Sequence, residues 1–108
     1  MVAASRPANF LNVLKRFGPG SDRPLSFPMP GWTLTMDLPA TAEVASMLRR
    51  LDERVLAAGG RHYLAKDALV SPAAVSAGYP DLGRFRSVRD RVDPNRVWRS
   101  DLSRRLGL

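Results

Sequence analysis

The chain reads as an α+β fold in which antiparallel strands are covered by a long helix and followed by a mainly helical C-terminal segment. Three observations predict it. Trp32, Leu34, Met36 and Leu38 alternate with Thr33, Thr35 and Asp37, the period-two pattern of a half-buried antiparallel strand. Val44, Met47, Leu48, Leu51, Val55 and Leu56 recur at the spacing of one helical face. Beyond the Gly59-Gly60 stop, prolines and capping residues divide the rest into short helical stretches.

In chain order, residues 1–8 are small, polar and proline-bearing, and read as a disordered start. Phe10 to Phe17 fits two patterns: Leu11, Val13, Lys15 and Phe17 alternate as in a strand, while Phe10, Leu14 and Phe17 would line one side of a helix. Its shortness, before the breaker Gly18-Pro19-Gly20-Ser21-Asp22, favours a strand. Pro24, Pro28 and Pro30 keep the following extended segment out of a sheet centre. In the next strand the Trp32/Leu34 face is expected on a core. The Thr33/Thr35/Asp37 face is either solvated or the lining of a polar site.

Thr41 is an N-cap and Glu43 suits the helix dipole, giving a helix over 41–58 that ends at Gly59. So amphipathic a helix needs a sheet to lie on. Arg61 to Lys66 has the alternating, aromatic character of a short strand. Tyr63 and Lys66, three apart, would then face opposite ways, and a kink at Ala65 would bring both to one site. The plain alternative is a helix-to-strand connection with two exposed polar residues. Ser71-Pro72 starts a helix that fades at Gly78, and Tyr79-Pro80-Asp81 starts another with Leu82, Phe85, Val88 and Val92 on its apolar side. Asp93-Pro94 ends it, and Val97, Trp98, Leu102 and Leu106 suggest a final one or two turns to the C-terminus.

Composition narrows the chemistry. The 108 residues, 44% hydrophobic, are enough for one domain. No run reaches the roughly 20 apolar residues of a membrane span, and the N-terminus lacks the apolar region of a signal peptide. There is no Cys and one His, so neither a thiolate site nor a metal centre is expected. P-loop, GxGxxG and GxSxG patterns are absent. The net charge of +7 raises nucleic-acid binding, but acidic residues are interspersed and helical spacing spreads the Arg around each helix, so a solvated surface is expected instead. The basic residues are 15 Arg and only 2 Lys. In a chain that writes Arg wherever either cation serves, Lys15 and Lys66 are the positions where a compact ammonium is required.

Several stretches carry a resemblance covering residues 10–108. They are Phe10-Leu11-Asn12-Val13-Leu14-Lys15-Arg16-Phe17-Gly18, Pro24-Leu25-Ser26-Phe27-Pro28-Met29-Pro30-Gly31-Trp32 and Leu51-Asp52-Glu53-Arg54-Val55-Leu56. Gly59-Gly60-Arg61 with Tyr63 and Ala65-Lys66-Asp67 follow, then Ser87-Val88-Arg89, Val92-Asp93-Pro94, Arg96-Val97 and Ser100-Asp101 with Arg104-Arg105-Leu106. Together they resemble the C-terminal end of the decaprenylphosphoryl-ribose oxidases. These are FAD-linked oxidases of the vanillyl-alcohol oxidase superfamily, related to the D-arabinono-1,4-lactone oxidases. The proline-glycine-tryptophan stretch is specific to the prenylphosphoryl-sugar branch, and the Lys66 motif is shared with the lactone oxidases.

The resemblance implies a fragment of a two-domain flavoprotein: residues 1–60 end the substrate domain, and residues 61–108 return to the FAD-binding domain. The FAD-phosphate-binding region has no counterpart, so enzymatic activity is left open and FAD binding by this segment alone is not expected. The implied reaction is oxidation of the C2 hydroxyl of a polyprenylphosphoryl ribose, a cell-wall arabinan precursor. Lys66 and Tyr63 match catalytic and cofactor-binding positions, and Lys15, Thr33 and Thr35 match substrate-binding ones. The chain departs from the mycobacterial pattern, which has Asn and Cys where Thr33 and Thr35 stand. The loss of the thiol puts covalent capture by thiol-directed inhibitors in question. Further implications are a short-chain reductase as pathway partner, a separately encoded FAD-binding half, no nucleic acid, and a cytoplasmic or peripheral membrane location, the periplasmic face included. The alternatives are a sugar-1,4-lactone oxidase and a non-enzymatic basic binding module.

Overall fold

The computed structural model describes residues 11–108, so Phe10 and the start over residues 1–8 lie outside the described residues. Strand β1 (Asn12–Phe17) pairs antiparallel with β2 (Gly31–Met36). The register sets Val13 opposite Thr35, Lys15 opposite Thr33 and Arg16 opposite Trp32. Loop 18–30 joins the strands. It closes tightly at Gly20, where a Cβ would stand 2.2 Å from the Pro28 carbonyl oxygen, so only glycine fits.

Helix α1 (Ala42–Ala57) follows. The Thr41 hydroxyl accepts from the Val44 amide, and Gly59 takes φ +72° after its end. The backbone amide at Glu43 and the Thr41 hydroxyl hold the Glu43 carboxyl below its usual range. Helix α2 (Pro72–Gly78) has Ser71 as its cap and proline in its first turn. Helix α3 (Leu82–Val92) ends at Asp93, whose buried carboxylate accepts from the Val97 and Trp98 amides. Helix α4 (Asp101–Leu106) opens with a capping box between Ser100 and Ser103 and closes on Gly107 in the left-handed region. These elements bear out the α+β class and most of the expected boundaries. No helix among the described residues is long and apolar enough to cross a membrane.

The core is Val70, Ala74, Val75, Tyr79, Leu82 and Leu106, with Leu56 of α1 and Leu64 packed against it. It therefore lies among the helices, and this corrects two expectations. The Trp32/Leu34 face of β2 is not on a core: Trp32 is 68% and Leu34 55% exposed. Helix α1 buries Val44 and Met47 and packs beside α2, leaving that outer face of the strand pair uncovered. Arg16 reaches over it, its guanidinium carbon 6.0 Å from the Trp32 ring. The second correction concerns 61–66, which form no strand. The segment pairs with neither β1 nor β2; the Lys66 amide turns back to the Tyr63 carbonyl at 2.9 Å, and Leu64–Lys66 is a 3-10 turn. In α3, Leu82 is buried while Val88 and Val92 stay exposed.

Candidate functional site

Alternation along the paired strands puts Val13, Lys15, Phe17, Thr33 and Thr35 on one face. Lys15 and Thr33 are directly opposite, which sets their Cβ atoms about 5 Å apart. Thr33 and Thr35 are half-buried and Lys15 is exposed, so the ammonium and two hydroxyls stand together on a surface that is neither core nor open solvent. The polar face is thus the inward one, the reverse of what burial of the Trp32 side would give.

An aromatic bridge connects this face to the 3-10 turn. Phe17 meets Phe27 edge-on, with ring centroids 5.7 Å apart. Phe27 stacks on Tyr63, with centroids 4.8 Å apart and planes 25° from parallel. Tyr63 and Lys66 close one turn through their backbone bond, a 3-10 turn where a kinked strand was expected. Four of the five candidate residues share the hairpin face or are tied to it by rings. Lys66 joins them through the turn.

Lys66 is exposed, and its ammonium has no ion-pair partner among the described residues. The neighbouring Asp67 does not neutralise it, because both carboxylate oxygens are engaged. Oδ1 accepts from the Leu69 and Val70 amides at 2.9 and 2.6 Å, and Oδ2 pairs with Arg105 at 2.5 Å. Arg105 also donates to the Val70 carbonyl at 2.7 Å.

The connection before the turn is held from below. The Tyr79 hydroxyl donates to the His62 carbonyl at 2.6 Å, and Arg61 lies over the Tyr79 ring while donating to the Ser26 carbonyl. Burial pushes the Tyr79 phenol up to about 12, opposed by the nearby Arg61 charge. His62 Nε2 sits 2.8 Å from Asp52 Oδ1, but off hydrogen-bond geometry, and both ring nitrogens lack a hydrogen-bond partner. The contact is electrostatic and holds as an ion pair only when the imidazole is protonated. It ties the connection to α1.

A cavity of about 340 Å³ opens elsewhere, between loop 18–30 and Arg61, Pro80 and Asp81. None of the five candidate residues lines it. Of its two arginines, Arg23 and Arg61, the second is committed to the Ser26 carbonyl and the Tyr79 ring. Sequence reasoning missed three residues that shape that face: Phe27, Asp67 and Arg105. Phe27 sits in a proline-rich stretch that carries no periodic signal, and the Asp67–Arg105 pair spans 38 positions.

The sequence pattern of the D-arabinono-1,4-lactone oxidases matches residues 33–106, well over half of the chain. The chain belongs to that family. Four of the candidate residues, Thr33, Thr35, Tyr63 and Lys66, lie inside the matched stretch, and Lys15 lies before it. Among curated relatives, an uncharacterized protein in the mprA 5' region of Streptomyces coelicolor is 52% identical over 97% of this family member and 28% of its own length. The decaprenylphosphoryl-beta-D-ribose oxidase of Mycolicibacterium smegmatis is 46% identical over 93% of this chain and 22% of its own. An L-gulono-1,4-lactone dehydrogenase of Mycobacterium tuberculosis is 36% identical over 62% of this chain and 16% of its own. The chain therefore spans about a quarter of the length of the first two relatives.

Proposed function

We propose that this chain is the C-terminal portion of an FAD-linked oxidase acting on the C2 hydroxyl of a polyprenylphosphoryl ribose. The observation that carries the reading is the hairpin face, where Lys15, Thr33 and Thr35 stand together and an aromatic bridge joins them to Tyr63 and the Lys66 turn. The substrate class is supported by the longer and closer similarity to the ribose oxidase than to the gulonolactone dehydrogenase.

The donor set fits a flavin. Lys66 offers an exposed ammonium with no ion-pair partner among the described residues, on the turn that Tyr63 opens, suited to a group that gains negative charge. A bound FAD would supply a two-electron oxidant held beside Lys66 and Tyr63: the C2 hydrogen would leave as hydride to the flavin and the C2 hydroxyl proton would pass to solvent, leaving the ketone. Lys15 and the two hydroxyls hold and orient the sugar. Lys66 lowers the cost of charge arriving next to it. In this reading residues 1–60 end the substrate domain and 61–108 return to the FAD-binding domain. The rest of the FAD site comes from a longer chain or a separately encoded half. A short-chain reductase then consumes the ketone, and a lipid-linked substrate calls for peripheral contact with a membrane.

The family description favours a second reading, oxidation of a free sugar-1,4-lactone. A basic binding module is less well supported, because five arginines donate to backbone carbonyls instead of forming an open patch: Arg61, Arg84, Arg86, Arg99 and Arg105. The test is rapid mixing of the complete, FAD-loaded protein with a prenylphosphoryl ribose and with an aldono-lactone. Faster flavin bleaching by the lipid-linked sugar is expected. Faster bleaching by the lactone moves the assignment to the second reading, and bleaching by neither leaves only the binding module.

A further inference from the structure

Lys66 sits on a turn of three residues, and a single turn does not hold a long side chain in place. What holds this one comes from the far end of the chain. Arg105, on α4, forks onto Asp67 Oδ2 and the Val70 carbonyl, at 2.5 and 2.7 Å. Asp67 Oδ1 closes the same loop from inside through the Leu69 and Val70 amides. The Asp67 side chain is only 8% exposed, so it has little freedom to swing toward its neighbour. Next to Arg105, Leu106 is fully buried in the core against which Leu64 packs, so α4 grips both ends of the turn.

We infer that Arg105 is a positioning residue for Lys66: by engaging Asp67 and Val70 it fixes the turn and keeps the adjacent carboxylate from pairing with the Lys66 ammonium. The inference rests on the reading that Lys66 acts at the flavin, but it assigns a role to a helix that the reading leaves idle. A planar guanidinium is required. It makes two contacts in fixed relation, one to a carboxylate and one to a carbonyl, and a lysine at the same place would make one. Without the fork, Asp67 is free to pair with Lys66, and the charge meant for the reacting partners is partly cancelled before they arrive.

The experiment uses the complete FAD-loaded protein in four forms: wild type, Arg105→Lys, Lys66→Ala and the double variant. Two quantities are read, the rate of flavin bleaching on rapid mixing and hydrogen exchange at the Leu69 and Val70 amides. Arg105→Lys is expected to speed exchange at both amides and to slow bleaching by roughly tenfold or more, up to the 10²-fold that a 1 Å misplacement can cost. In the Lys66→Ala background the same change should alter bleaching less than about twofold, because residues acting through one another are not additive. Asp67→Asn, which keeps the amide contacts and removes the charge, should soften the effect of Arg105→Lys. Equal slowing in both Lys66 backgrounds would show a merely structural role and overturn the inference alone. Unchanged exchange at Leu69 and Val70 would overturn it as well. Wild-type bleaching in Lys66→Ala overturns the functional reading together with this one.

Discussion

Phe27 stacks on Tyr63 with ring centroids 4.8 Å apart, and this contact joins a proline-rich loop to the turn that carries Lys66. An offset aromatic pair adds about 0.5–1.5 kcal/mol beyond the area it buries. Phe27→Ala should therefore lower the melting temperature modestly and detach Tyr63 from the hairpin face. Phe27→Tyr should preserve both. Near-ultraviolet circular dichroism of the complete protein, compared with Tyr63→Phe as reference, reads the loss of stacking. An unchanged aromatic spectrum in Phe27→Ala would mean the rings do not report on each other.

The two lysines should fail in different ways. Lys66→Ala is expected to leave folding intact and slow flavin reduction by roughly 10²-fold or more, the scale of removing one preorganised charge. Lys66→Arg should also be impaired. Lys15→Ala, set opposite Thr33 on the sheet, should weaken substrate binding more than it slows the chemistry. Single-turnover rates against substrate concentration separate the two effects, and identical behaviour of the two alanine variants would contradict the division of roles.

Gly20 and Gly18 offer a matched pair. A Cβ at Gly20 would lie 2.2 Å from the Pro28 carbonyl oxygen, whereas at Gly18 it would meet nothing within 4 Å. Gly20→Ala must open loop 18–30, at about 1–3 kcal/mol for an insertion that the backbone cannot accommodate. Gly18→Ala should be near neutral. Thermal melting and proteolytic nicking within 18–30 compare them, and equal sensitivity of the two would show that the loop does not close as described.

Tyr79 makes stability depend on alkaline pH. Its folded-state value is about 12, above the ordinary 10 expected once the chain unfolds. The native state therefore keeps a proton that the unfolded state releases, and stability is complete below pH 10. It declines as pH rises from 10 toward about 12, by on the order of 2 kcal/mol. Tyr79→Phe should flatten that decline, while losing about 0.5–1.5 kcal/mol at neutral pH with the bond to the His62 carbonyl. Urea midpoints across pH 8–11 test it; parallel curves for the two proteins would exclude Tyr79 as the source.

Much of this was legible beforehand, for local reasons. Thr41, Ser71 and Gly59 announce helix ends through their own side chains or lack of one, and each sits where its chemistry predicts. Alternation likewise separates Thr33 and Thr35 from Trp32 and Leu34. It says which residues share a face, but not which face is covered. That depends on Phe27, which meets Phe17 edge-on, and on the distant Tyr63, which stacks on Phe27. The segment 61–66 has the composition of a strand, but a strand needs a neighbour, and without one the local i to i+3 bond prevails. The grip of Arg105 on Asp67 crosses 38 positions and leaves no periodic trace.

The arginines that donate to carbonyls have a consequence for acid tolerance. Arg61 to Ser26, Arg84 to Asp22, Arg86 to Gly107 and Arg105 to Val70 each join a guanidinium to a backbone oxygen. Neither partner gains or loses a proton across any pH at which a protein is handled. The carboxylate pairs, Asp67 with Arg105 and Asp90 with Arg96 among them, rest on two charges, whereas these four ties rest on one. Loop 18–30, the backbone at Gly107 and the backbone at Val70 should therefore stay fastened to the helices in acid.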